Sequence, residues 1–228
     1  MTIAIMQPGY LPWLGFFELM WQSDIFIVYD NVQYDKNGWR NRNRIKTANG
    51  PQWLTVPVKT SISLKVNEVL IDNSRNWQRK HLVALKTNYG RTEYFNQYWP
   101  IFEKVLTQKW EKLIDLDMVF IYEINKILGL EKEIKFSSHI EIQGERVGRL
   151  IDICKHLGAD TFYEAAGGKN YLEEEIERFN QTGIKLKFQQ YCHPVYRQSF
   201  GNFIPQLSII DLLFNEGDKS LNILINKN

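Results

Sequence analysis

Thr2-Ile3-Ala4-Ile5-Met6-Gln7-Pro8-Gly9-Tyr10 opens the chain. Leu11-Pro12-Trp13-Leu14-Gly15-Phe16-Phe17-Glu18-Leu19-Met20 and Ile25-Phe26-Ile27-Val28-Tyr29-Asp30 follow it. The first run, Thr2 to Met6, carries no charge, as a strand buried on both faces requires. Pro8 and Gly9 end it. Pro12 suits the first turn of a helix, where a missing N–H costs nothing. Ser23-Asp24 closes that helix, and a β-branched, aromatic run starts a second strand. Two buried strands joined through a helix make a βαβ unit with a right-handed crossover. Ligands of such folds gather at the carboxyl ends of the strands. Gln7 and Tyr10 stand at the first end; Asp30, Gln33 and Tyr34 stand at the second. Polar residues in such loops also cap helices and close turns. Their clustering at one crevice, more than any single member, marks a binding site.

Arg40, Arg42, Arg44 and Lys46 then occupy every second position. On a strand they line one face, with Asn41 and Asn43 on the other. A row of like charges calls for an offsetting partner. A bound diphosphate fits, because guanidinium grips phosphate through a planar fork. A charged edge strand that resists aggregation fits as well.

Gln52 to Thr60 reads as a further strand, with Pro57 confining it to an edge or bulge. Ser61 to Ile71 alternates weakly. Residues 40–71 therefore predict a small antiparallel extension. The period changes at Ser74. Trp77, His81, Ala84, Leu85 and Asn88 share one helix face, and helices continue over Tyr94 to Gln108 and Lys109 to Leu128. This predicts a helical insertion over residues 75–130 that covers the crevice. His81, in the dense group Trp77-Gln78-Arg79-Lys80-His81, is a candidate base, since histidine exchanges protons near neutral pH. A structural histidine fits the same position.

From residue 131 the α/β pattern returns. Ile134 to Ser138 reads as a strand with Ser137 and Ser138 at its carboxyl end, and Arg146 to Leu157 as a helix. Asp160 to Glu164 reads as the next strand. Ala165-Ala166-Gly167-Gly168-Lys169-Asn170 is a small-residue loop before a helix over Tyr171 to Asn180. Its Gly167-Gly168 amides can meet an anion, with Lys169 beside them, or the loop is a plain turn. It lacks the P-loop ending. Gly183 to Tyr191 alternates as a last strand, His193 is held extended before Pro194, and Ser208 to Asn215 closes as a helix. The expected architecture is α/β: a mainly parallel sheet flanked by helices, one domain made of residues 1–74 and 131–228, interrupted by the insertion.

With 228 residues, 44% of them hydrophobic, the chain can bury a full core. A net charge of +2 and a pI near 8.4 are too mild for general nucleic-acid binding. No apolar run reaches the ~18 residues that membrane insertion needs. The chain starts straight into a strand, so a cytoplasmic location is expected. Cys154 and Cys192 match no metal spacing, and no nucleophile elbow is present.

The opening motif Gln7-Pro8-Gly9-Tyr10-Leu11-Pro12-Trp13-Leu14-Gly15-Phe16-Phe17, with Asp30-Asn31-Val32-Gln33-Tyr34, resembles the WbqC-like family. So do Gly158 to Thr161, Gly167 to Leu172, Tyr191 to Gln198 and Phe203 to Asn215. The resemblance implies a role in bacterial surface-polysaccharide and O-antigen biosynthesis, with transfer of glycine or another acyl group to an amino sugar. The Pro-Gly loop and the later Ser-Ser strand also resemble nucleotidylyltransferase-like folds of the HIGH type. Where those place His-x-Gly-His, this chain has Pro12-Trp13-Leu14-Gly15, which leaves their histidine chemistry without its residues.

The expectation is a transferase that acylates the amino group of a nucleotide-linked amino sugar. His81 or Asp30 acts as base. Ser137, Ser138 or the Gly167-Gly168 amides face the oxyanion. Arg40, Arg42 and Arg44 hold phosphate. Gln7, Tyr10, Gln33, Tyr34, Lys169 and His193 complete the site. The acyl donor stays open among acyl-coenzyme A, aminoacyl-tRNA and an ATP-activated amino acid. A non-catalytic nucleotide-sugar binder, an adaptor, and a nucleotidyl- or adenylate-forming enzyme are the alternatives.

Overall fold

The computed structural model describes residues 1–36, 38–59 and 63–226. Five parallel strands form its central sheet: β1 (Thr2–Met6), β2 (Ile25–Val28), β7 (Glu133–Phe136), β8 (Thr161–Glu164) and β9 (Lys185–Phe188), in the order β7-β2-β1-β8-β9. β1 sits at the centre because its apolar residues face both ways. Ala4 joins Phe26 and Val28 in the core on one face. Ile3 and Ile5 join Ile25, Ile27, Phe162 and Leu186 on the other. Both faces are covered, as an all-parallel sheet requires. Helix α1 (Leu14–Gln22) packs on the first face through Leu14, Phe17 and Met20. Helices α5 (Val147–His156) and α7 (Ile176–Asn180) close the second through Leu150, Ile151 and Phe179. The chain runs from β1 outward to β2 and β7, then crosses to β8 and β9. The topological switch point therefore lies between β1 and β8. In a Rossmann-like arrangement of this kind that is where a ligand crevice opens.

The extension is two separate ladders. β3 (Arg42–Thr47) pairs antiparallel with β4 (Gly50–Thr55), and β5 (Val58–Lys59) with β6 (Leu70–Ile71). The expected end of one strand at Thr60 and start of the next at Ser61 fall outside the described residues. Helices α2 (Trp77–Tyr89), α3 (Phe95–Thr107) and α4 (Leu113–Ile127) follow in succession. Their apolar faces, with Leu85, Phe102 and Phe120, merge into the core that covers Ala4 and Phe26. The helix expected over Tyr171 to Asn180 is broken into α6 (Lys169–Leu172), a 3-10 turn at Glu173–Glu175, and α7. Glu173 and Glu174 of that turn are exposed, and Glu175 pairs with Arg178 at 3.5 Å. Helix α8 (Ile209–Glu216) is capped by Ser208, whose Oγ accepts from the Ile210 amide, and α9 (Ser220–Leu224) packs on α1.

Candidate functional site

Two cavities meet at the carboxyl end of β1. The larger, about 660 Å3, is the switch-point crevice. Met6 and Gln7 from β1, Tyr29 beyond β2, Glu164 to Gly168 beyond β8, and Arg146 at the start of α5 wall it. The smaller, about 270 Å3, lies between Met6, Gly9, Trp13, Phe16, Trp39, Arg40, Asn43 and Gln206. Met6 and Arg40 belong to both walls. The Arg40 guanidinium donates to the Gln7 carbonyl at 3.0 Å and so spans the partition between them.

Glu164 is the buried acid of the crevice. It ends β8, is 7% exposed, and forms no side-chain ion pair among the described residues. Burial pushes its carboxyl up to about 8, against the weaker pull of the Ala165 amide. Gly168 is needed to fit it: a Cβ there would overlap the Glu164 carboxyl group. Tyr171 and Tyr29 flank it; burial first, and Glu164 next, push the Tyr171 hydroxyl up to about 12. Arg146 adopts φ 49°, a conformation that strains any side-chain-bearing residue, at the N-terminus of α5. Leu11 (φ 46°) and Gln206 (φ 58°) carry the same strain beside the smaller cavity. Such strain persists where surrounding structure holds it, and it collects at functional sites.

The expected site residues divide into those the crevice unites and those it does not. Gln7, Arg40, Gly167 and Gly168 line it. The Gln7 Oε1 is buried with no hydrogen-bond partner among the described residues, as is the Arg40 Nε. Lys169 points away into an exposed ion pair with Glu173 at 3.5 Å. Gln33 is exposed and bridges to Lys65. Tyr34 is buried beside Arg40 and Asp117, its hydroxyl pushed up to about 12 chiefly by burial. Asp117, on α4, is fully enclosed and raised well above the carboxylate range by burial, with Arg40 opposing. His193 stacks on Trp13, with ring centroids 6.3 Å apart, in a cluster with Tyr191, Tyr196 and Phe203. It buttresses the smaller cavity through Trp13, and lines neither cavity.

Asp30 is committed to structure. Its Oδ1 accepts from the Ser137 hydroxyl at 2.9 Å and the Ser138 amide at 2.9 Å, and its Oδ2 from the Ser138 hydroxyl at 2.6 Å. These bonds tie the carboxyl end of β2 to that of β7. They occupy the lone pairs a base would need, and they spend both serine hydroxyls that were expected at an oxyanion.

His81 differs from the expectation of a base in the same way. It is 4% exposed, under Tyr10, whose hydroxyl shares a 2.8 Å hydrogen bond with Nδ1. Trp77 packs edge-on against the ring. Burial lowers its pKa to about 4, so the imidazole is neutral at physiological pH. Because the folded state resists this proton and the unfolded state takes it near 6.5, stability declines as pH falls through 6.5 toward 4. The loss is up to roughly 3 kcal/mol. Denaturant melts from pH 7 to 4 should show His81→Gln flattening this decline; parallel pH curves for variant and wild type would reject the assignment.

The arginine arm is split. β3 begins at Arg42, so Arg40 turns off into the partition. Arg42 and Arg44 remain on one strand face and stack on indoles: Arg42 lies 4.6 Å over Trp53, Arg44 5.4 Å over Trp39. Lys46 is buried, donating to the Gln198 side chain at 3.0 Å and the Asn202 carbonyl at 2.6 Å. In the sequence Glu164 shows only as the last residue of a predicted strand, Arg146 and Tyr171 as helix ends, and Trp39 carries no signal. The run Glu164-Ala165-Ala166-Gly167-Gly168 carried the available signal, since small residues make room for a buried acid.

No helix among the described residues is long and apolar enough to cross a membrane. The sequence model of the WbqC-like protein family matches residues 7–223. An uncharacterized protein of Mycobacterium tuberculosis, Rv1507c, is 36% identical over 222 residues, covering 94% of each chain. No solved structure matches significantly.

Proposed function

We propose that this chain, which belongs to the WbqC-like protein family, is a cytoplasmic transferase of surface-polysaccharide biosynthesis that acylates the amino group of a nucleotide-linked amino sugar, glycine being among the acyl groups. The observation that carries the reading is Glu164: a buried carboxyl, raised to about 8, in the switch-point crevice. A sugar ammonium loses its proton near the same pH, and proton transfer between matched groups is close to thermoneutral. The amine nitrogen attacks the donor carbonyl, the Glu164 carboxylate takes the nitrogen's proton, and the donor's leaving group departs with the carbonyl electron pair. Arg40, Arg146 and the amino end of α5 give the same crevice a positive potential that attracts an anionic substrate.

The donor remains one of three classes: acyl-coenzyme A, aminoacyl-tRNA or an ATP-activated amino acid. The test is mass spectrometry of reactions containing a UDP- or dTDP-linked amino sugar, glycine, ATP, acyl-coenzyme A and charged tRNA, each omitted in turn. The expected result is a mass gain on the sugar that depends on one donor. No gain with any donor would make the chain a nucleotide-sugar binder instead.

A further inference from the structure

The β3–β4 hairpin carries an exposed surface that the reaction crevice does not use. Its register sets Arg44 opposite Trp53 and Arg42 opposite Thr55, so Arg42, Arg44 and Trp53 share one face. Trp39, from the segment leading into β3, closes on this face, with the two indole centroids 5.0 Å apart at 45°. Trp39 is 45% and Trp53 43% exposed, more open to solvent than any other tryptophan among the described residues. Indole surface left in water is unfavourable in proportion to its area. Stacked guanidiniums cover part of it, yet large faces of both rings stay open.

The position of Trp39 supplies the second observation. The same residue walls the 270 Å3 cavity together with Trp13, Phe16 and Arg40. Arg40 in turn walls the Glu164 crevice. The open indoles, the aromatic cavity and the Glu164 crevice thus adjoin one another in turn, with the Arg40 guanidinium between the last two. The Arg44 Nε is buried and without a hydrogen-bond partner among the described residues, and its Nη2 donates to the carbonyl of Gln206, which walls the smaller cavity.

We propose that the Trp39–Trp53–Arg42–Arg44 surface and the cavity behind it form a nucleoside diphosphate subsite: the base stacks on indole and the diphosphate meets guanidinium. Aromatic faces accept any base, and guanidinium forks match phosphate oxygens. A neutral sugar would use the indoles but draw nothing from the charge of the two guanidiniums. A nucleic-acid strand would need a basic track beyond this one patch, and the chain's net charge is only +2. The identity of the occupant as the handle of the sugar acceptor rests on the preceding reading; the subsite itself does not. The handle anchored here directs the sugar past Arg40 toward Glu164.

The test is calorimetry, with tryptophan fluorescence in parallel, on the full chain titrated with UDP, dTDP and ADP, and with pyrophosphate, free hexose and a single-stranded oligonucleotide as comparisons. Nucleoside diphosphates should bind saturably and quench fluorescence. Trp53→Ala and Arg44→Ala should each weaken binding tenfold or more. Trp53→Phe, which keeps an aromatic face, should restore most of it, and this separates stacking from damage to the hairpin. Pyrophosphate should bind at least tenfold more weakly than UDP and be indifferent to Trp53→Ala. Equal UDP affinity in wild type and Trp53→Ala overturns the proposal, as does pyrophosphate, hexose or oligonucleotide binding as tightly as UDP. Nucleotide binding without acyl product rejects the transferase reading alone. Acyl product with an unaltered KM for the sugar nucleotide in Trp53→Ala rejects the subsite alone.

Discussion

Replacing Glu164 with glutamine should lower kcat by roughly 10²–10⁴-fold, the usual worth of a positioned acid–base group, while making the fold more stable. The two effects have one origin. The folded protein holds the Glu164 proton up to about pH 8, and the unfolded chain releases it near 4.5. Between those values the unfolded state binds fewer protons, so stability falls as pH rises, and the loss is complete above 8. At pH 7 it amounts to roughly 3 kcal/mol. Glutamine has the same shape and no charge, so the gap between variant and wild-type melting temperatures should widen from pH 5 to pH 8. The wild-type kcat/KM profile should rise with an apparent pKa near 8 as the carboxylate forms. A variant with unchanged activity and a pH-independent stability difference would remove Glu164 from the chemistry.

Asp30→Ala should have the largest effect on folding, on the order of 3–5 kcal/mol. The substitution deletes one acceptor group and strands two donors, the hydroxyl and the amide of Ser138, while the Ser137 hydroxyl keeps the Asn31 side-chain oxygen at 2.7 Å. Bonds to a charged acceptor contribute about 1.5–3 kcal/mol each, and buried donors left unmade cost about 1–3 kcal/mol. The effects overlap, which keeps the total below their sum. Chemical denaturation gives the number. If Asp30→Ala is as stable as wild type but inactive, Asp30 is a catalytic base after all and the structural account fails.

The sheet was legible in the first residues because burial on both faces leaves a mark that no neighbour can erase: Ile3, Ile5, Ile25 and Ile27 alternate with Ala4, Phe26 and Val28, and all are apolar. The site was legible only as a place. Gln7 and the Gly167-Gly168 turn could be assigned to strand ends, since that follows from topology. Which group is reactive depends on partners distant in sequence. His81 is enclosed and bonded to Tyr10, and Asp30 is bonded to Ser137 and Ser138. Glu164 is raised by enclosure, which residue identity does not report. The arm shows the same division. Alternation placed Arg42 and Arg44 on one face, but Lys46 is drawn inward by Gln198 and Asn202 from the far end of the chain.

The central place of β1 also sets an order of events during synthesis. Its first partner, β2, arrives within the same βαβ unit, whereas its other edge waits for Thr161 and Phe162. At about 5–20 residues per second, the ribosome needs roughly 7–27 s to make the chain between Val28 and Thr161. For that interval a strand with apolar residues on both faces has an open edge, the template on which strands of other chains assemble. The nascent chain is therefore most exposed to misassembly before the residue that completes the crevice, Glu164, has been made.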